Sequence, residues 1–170
     1  MKKIVSGIIL LLYCILGMVP MAWADAPPQK IMVITVDNAV ESGLASYLER
    51  NVAAAKEKHV DILILELDTP GGRVDAAQDI KRILYNSDME TVALIKDHAL
   101  SAGAYIALCC DKIAMMPGST LGDAEMLING TTADEKYLGP WREEFAAIAE
   151  DKGRDPEIAK AFVDRDMELD

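Results

Sequence analysis

Apolar residues recur along this chain with two periods, one suited to strands and one to helices. Lys30–Asp37 (KIMVITVD) is a short β-branched run bounded by polar residues, which predicts a buried strand. Over Glu41–His59, Leu44, Tyr47, Leu48, Val52 and Ala55 fall at i, i+3, i+4 spacing and predict an amphipathic helix. Val60–Asp68 (VDILILELD) carries the strongest strand signal, continuous enough to be buried on both faces. It stops at Thr69-Pro70-Gly71-Gly72, whose proline and glycines force a tight turn. Arg73–Ser87 then reads as a helix with Val74, Ala77, Ile80, Ile83 and Leu84 on one side. Thr91–Lys96 is the next strand, Ser101–Cys110 the next helix, and Lys112–Met116 another strand, ended by PGSTLG (Pro117–Gly122). A polar segment, Asp123–Lys136, leads into a helix from about Lys136 to Lys152. Asp155-Pro156 opens a last helix with a capping residue and a proline in the first turn.

Strand and helix thus alternate at roughly 30-residue spacing, the mark of an α/β architecture with mainly parallel strands and right-handed crossovers. The chain ends at VDRDMELD (Val163–Asp170) without a closing strand, so it is expected to be the front part of a longer protein.

The N-terminal pattern belongs to neither period. Lys2 and Lys3 precede an apolar run from Ile4 to about Met21, and Ala22-Trp23-Ala24 follows. That is the layout of a secretory signal cut after Ala24, with an uncleaved membrane anchor as the alternative. The expected organisation is therefore a signal peptide over residues 1–24 and one domain over 25–170.

Composition narrows the classes that remain. Hydrophobic residues make up 51% of the 170, enough for a real core. Aspartate and glutamate number 28 against 17 lysines and arginines, and the signal holds none of the acids. So acidic a domain excludes nucleic acid as a partner and disfavours anionic lipid surfaces. Cys109 and Cys110 are adjacent, a poor disulfide pair, and lack the further ligands of a zinc site. They read as small buried residues, and neither metal nor cofactor is expected.

Two loops that follow strands carry candidate chemistry. At Gly71-Gly72, successive glycines leave backbone N–H groups free to face a ligand oxygen, as an oxyanion hole requires. At Ser101, a serine opens a helix among Ala102, Gly103 and Ala104, small enough for a substrate backbone to approach. Ala102 N–H is available as a second donor. Ser101 is either a nucleophile or a simple helix cap. A nucleophile needs a base. His59 reads as a surface residue, and His98 is too close in sequence to be a usual general base. A buried lysine can serve instead, and Lys136, at the start of a helix, is a candidate.

LELDTPGGRVDAAQDIKRIL, ALSAGAYIALCCDKIAMMPGSTLGDAE and EDKGRDPEIA together resemble the N-terminal domain of membrane-bound NfeD-type serine proteases, of the ClpP class and related to signal peptide peptidase A. The resemblance implies a ClpP/crotonase-like fold of repeated β-β-α units. It implies Ser101 as nucleophile, Gly72 and Ala102 as oxyanion donors, and Lys136, ahead of Gly153-Arg154, as the base. Gly71, Gly103 and Gly122 would border bound substrate. Substrates would be hydrophobic segments of membrane-associated proteins, with a stomatin-like membrane protein as a partner. The enzyme would be an exported, extracytoplasmic homodimer or higher homo-oligomer, anchored in the membrane by parts beyond this domain.

Two departures stand out. Gly122-Asp123-Ala124 puts a carboxylate near the cleft, where it would favour a protonated lysine, and Pro140 follows Lys136 by one turn. Lys152 and Lys160 are the alternative bases, both with the look of surface residues. A non-catalytic module that holds a membrane partner in the same cleft is the rival reading. An acyl-CoA enzyme of the crotonase type is a third, opposed by the export signal and the acidity.

Overall fold

A parallel sheet with its helices packed on one face organises the chain, in a computed structural model that describes residues 28–164 and 168–169. The signal segment and its cleavage site lie outside the described residues. The elements run β1 (Ile31–Val36), α1 (Ser42–Glu57), β2 (Ile62–Thr69), α2 (Val74–Tyr85), β3 (Glu90–Leu100), α3 (Ala102–Cys109), β4 (Lys112–Met115) and β5 (Thr120–Gly122). After them come β6 (Leu127–Ile128), β7 (Thr131–Thr132), α4 (Glu135–Asp151), α5 (Pro156–Asp164) and β8 (Glu168–Leu169).

β1, β2 and β3 pair in parallel, in that order. The long β3 then splits its outer edge, pairing β4 along Val92–Ile95 and β5 along His98–Leu100. That split makes β3 longer than the apolar run Thr91–Lys96: the second half is held by β5 rather than by its own hydrophobicity. β8 closes the far edge antiparallel to β5, so the chain does carry a closing strand. The polar segment before α4 folds a small hairpin, β6 with β7.

The sheet's two faces differ. Leu63, Leu65, Leu67 and Thr69 of β2 are fully buried beneath the helices, while Ile62, Ile64, Glu66 and Asp68 are only half-buried. Burial of VDILILELD on both faces, expected from its apolar continuity, is thus met on one. β1 departs further from its expectation: it is an edge strand, and Ile31 and Val33 are 54% and 52% exposed. A local run of β-branched residues reports strand, not which face another element covers.

Helix α3 is buried on every side, and its residues are apolar or glycine throughout. It threads between the sheet and α2 and α4, which is why it has no polar stripe. Gly103 is required there, since a Cβ would lie 2.6 Å from the Thr69 methyl. Cys109 and Cys110 close the helix, both buried and unpaired with each other. Burial pushes both thiols up, Cys110 to about 12, so they stay protonated and inert.

Candidate active site

β2 and β3 end side by side, and the two candidate loops emerge together from those ends. Gly71 has φ 95°, and a Cβ on it would stand 2.6 Å from Ser101 Cβ, 2.7 Å from Leu100 O and 3.0 Å from Ala102 N. Only glycine permits this approach. Gly72 is pressed as closely on its other side, where a Cβ would meet Val40 O at 2.3 Å. Val40 N–H donates to Gly71 O at 2.8 Å and Arg73 N–H donates to Val40 O at 2.7 Å. These bonds from the flanking residues form a parallel bridge, so the Gly72 N–H points away from Val40.

Ser101 has φ 53° and ψ −118°, a conformation rarely taken by a residue with a side chain. It is fixed by its own N–H, which donates to both Gly122 O and Asp123 O at 3.0 Å, and by its carbonyl, which accepts from Tyr105 N–H at 3.2 Å. The Ser101 side chain makes no capping bond to α3. Of the two bottom-up readings of this serine, the helix cap is therefore not what the hydroxyl does. Among the described residues, neither Gly72 N–H nor Ala102 N–H is among the backbone donors that the loops and turns engage. A strained serine beside a Gly-Gly turn is a layout from which a hydroxyl can attack a carbonyl while backbone N–H groups hold an oxyanion.

Gly71, Ser101, Ala102 and Gly122 are thus brought together, and Gly103 supports them from beneath through Thr69. Lys136 is not packed among them. It sits on the first turn of α4, its side chain 66% exposed, with Nζ 3.8 Å from an Asp134 carboxylate oxygen and 4.8 Å from the Tyr137 ring centroid. Lys152 instead donates to Asp111 at 2.6 Å, and Lys160 pairs with Glu143 and Glu157. His98 lies exposed on β3, with Nδ1 2.9 Å from Thr120 Oγ1. His59 ends α1 with φ 51°, exposed and away from both loops.

Two structural residues escaped the sequence reading. Trp141 Nε1 donates to Ala124 O at 3.0 Å, tying α4 to the segment that binds Ser101 N–H. Arg154 donates to the carbonyls of Leu108, Cys110 and Asp111, capping the C-terminal end of the helix that Ser101 opens. The motif Gly153-Arg154 was visible, but its task needed the position of α3.

Residues 30–170 match the family described as NfeD1b, N-terminal domain. The chain belongs to this family. Membrane protein NfeD1b of Bacillus subtilis (strain 168) is 41% identical over 146 residues, covering 85% of this chain and 33% of that protein. Membrane-bound protease PH1510 of Pyrococcus horikoshii is 29% identical over 148 residues, covering 82% of this chain and 34% of that protein. The chain spans about a third of the length of these curated relatives. Among solved structures, a lysine-to-alanine mutant of the 1510-N membrane-bound stomatin-specific protease, in complex with a substrate peptide, superposes with a TM-score of 0.80. It is 27% identical, and the match covers 85% of this chain and 70% of that one. ClpP1 from Listeria monocytogenes shares the fold, with a TM-score of 0.65 at 17% identity over 81% of each chain. The fold of this chain is therefore ClpP-like, as its motifs imply. Among the described residues, no helix is long and apolar enough to cross a membrane.

Proposed function

We propose that this chain is the catalytic domain of a membrane-associated serine endopeptidase, with Ser101 as nucleophile. The observation that carries the reading is Ser101 itself: a strained serine whose hydroxyl makes no capping bond, packed against a Gly-Gly turn. Ser101 attacks the peptide carbonyl, and the N–H groups of Gly72 and Ala102 receive the developing oxyanion. The amine leaves with a proton, and water then resolves the acyl-enzyme. The substrate backbone passes along Gly71, Gly103 and Gly122.

Lys136 is the base in this reading. Its side chain stands open to solvent beside Asp134. The base role therefore requires substrate, or a second copy in a homodimer or larger ring, to cover the first turn of α4. The pairing of a serine with a lysine draws on likeness: a serine-to-alanine and a lysine-to-alanine mutant of the stomatin-specific protease are among the similar solved structures. By the same likeness the substrates are hydrophobic segments of membrane proteins, a stomatin-like protein among them. The domain acts on the extracytoplasmic side of the membrane.

The exposure of Lys136 also favours a second reading, a non-catalytic module that binds a membrane partner in the same cleft. One assay separates the two. The protein is incubated with an apolar-rich peptide, and the products are followed by mass spectrometry. The expected result is cleavage that Ser101→Ala reduces by about 1,000-fold or more, since removal of a nucleophile leaves only residual catalysis. Lys136→Ala is expected to fall comparably, because the two act as a unit. Peptide binding without cleavage by the unaltered protein establishes the binding module instead. Activity kept by Lys136→Ala alone leaves the serine and removes the lysine.

A further inference from the structure

The contacts around Ser101 close into a ring. Its N–H binds the carbonyls of Gly122 and Asp123. The next residue, Ala124, gives its carbonyl to Trp141 Nε1 at 3.0 Å. Trp141 stacks on Tyr105, with ring centroids 4.8 Å apart and planes inclined by 14°. Tyr105 lies one turn into α3, and its N–H returns to Ser101 O at 3.2 Å. The Tyr105 hydroxyl is itself fixed, donating to Glu144 Oε1 at 2.5 Å. Glu144 is on the same helix as Trp141 and also accepts from Lys81 at 3.2 Å and Gln78 at 3.1 Å, both on α2.

Filling a core would not need these polar atoms. Tyr105 is fully buried and Trp141 is 4% exposed, so each must find a partner for its hydroxyl or N–H. Here both bonds go to alignment: one joins α4 to α3 and α2, the other joins α4 to the strand end that holds Ser101. Phe145 packs on the same two rings, with centroids 5.5 Å and 4.9 Å away, yet has no polar atom and stands outside the ring of bonds.

We propose that Trp141 and Tyr105, with Glu144 as their anchor, are positioning residues that hold the backbone of Ser101 in its strained conformation. Its catalytic consequence rests on the protease reading; its structural content does not. Hydrogen exchange at the Ser101 amide reads the latter without any turnover. Trp141→Phe keeps the stack and removes the N–H, and Tyr105→Phe removes only the hydroxyl. Each is expected to speed exchange at Ser101 by about fivefold to tenfold, the value of one lost hydrogen bond, with Leu65 in the centre of the sheet unchanged. Phe145→Leu is the comparison: it loses thermal stability but leaves Ser101 exchange close to that of the parent.

For peptide cleavage, Trp141→Phe and Tyr105→Phe should lower kcat by a similar factor with KM little changed, and Glu144→Gln should keep more activity than Glu144→Ala. Ser101 exchange that is unaltered in both aromatic variants overturns the proposal. So does an acceleration that Phe145→Leu reproduces, since the cluster would then be only a core. An inactive parent protein whose aromatic variants still loosen Ser101 refutes the protease reading and leaves the positioning role intact.

Discussion

A serine gains nothing on its own from φ 53°, and positions of this kind cost on the order of 1–3 kcal/mol. The bonds from its N–H to Gly122 and Asp123 and the wall formed by Gly71 hold it there. Ser101→Gly should relieve the strain and Ser101→Ala should not. In urea unfolding, the glycine variant is expected to exceed the alanine variant by about 1 kcal/mol, after glycine's extra chain entropy is deducted. Equal stability would mean the backbone is not strained. Gly71→Ala makes the reverse point. Its new methyl meets Ser101 Cβ and the Leu100 carbonyl, and it starts from φ 95°. Because a backbone oxygen cannot swing aside, a loss of about 2 kcal/mol or more is expected in the same measurement. Gly118→Ala is the control: it shares a positive φ, 81°, but has nothing within 4 Å and should lose about half as much.

Among the elements, α3 is held at both ends. Ser101 fixes its start, and the Arg154 guanidinium satisfies carbonyls that the last turn leaves open. Gly153, at φ 68°, turns the chain out of α4 so that Arg154 can reach back. Arg154→Leu is expected to cost about 2 kcal/mol in unfolding free energy, and Arg154→Lys to recover little, since one ammonium cannot serve three carbonyls in a fork. Full recovery by lysine would reduce the role to charge alone. The elements themselves were legible in the sequence, because periods of two and of 3.6 come from local backbone geometry. The split of β3 between β4 and β5 was not, since nothing in Lys96-Asp97-His98 announces it. Ser101 was legible only as a choice between cap and nucleophile. What the structure adds is that the hydroxyl makes no capping bond, which no spacing can encode. Lys136 was legible as a lysine opening a helix, but its exposure beside Asp134 is a tertiary fact that position in the sequence does not carry.

At the scale of the molecule, the core lies on one side of the sheet, and α3 runs through it carrying both thiols at its buried end. That placement gives the stability a pH dependence set by Cys109 and Cys110. Burial, above all, raises both thiols, while in the unfolded chain they ionise at about pH 8.5. A group whose folded value is raised stabilises the fold fully below the unfolded value and loses that contribution as pH climbs toward the folded one. Between about pH 8.5 and 10, unfolding therefore becomes easier by about 1.4 kcal/mol per pH unit for each thiol. Tyr105 and Tyr85, also raised by burial, add their loss only above about pH 10. At the acid end the sign reverses. Burial pushes the Glu144 carboxyl up, but the hydrogen bonds from Tyr105, Gln78 and Lys81 outweigh it, so its net value is lowered. Its contribution holds above the ordinary carboxylate value of about 4.3 and fades as pH falls below. Urea unfolding under reducing conditions from pH 7 to 10 tests the alkaline arm. The parent protein should lose stability from about pH 8.5, and a double Cys109→Ala, Cys110→Ala variant should stay level until the tyrosines titrate. A parent curve that is flat to pH 10 would show that the thiols are not shielded, and that the buried end of α3 opens to water in the native state.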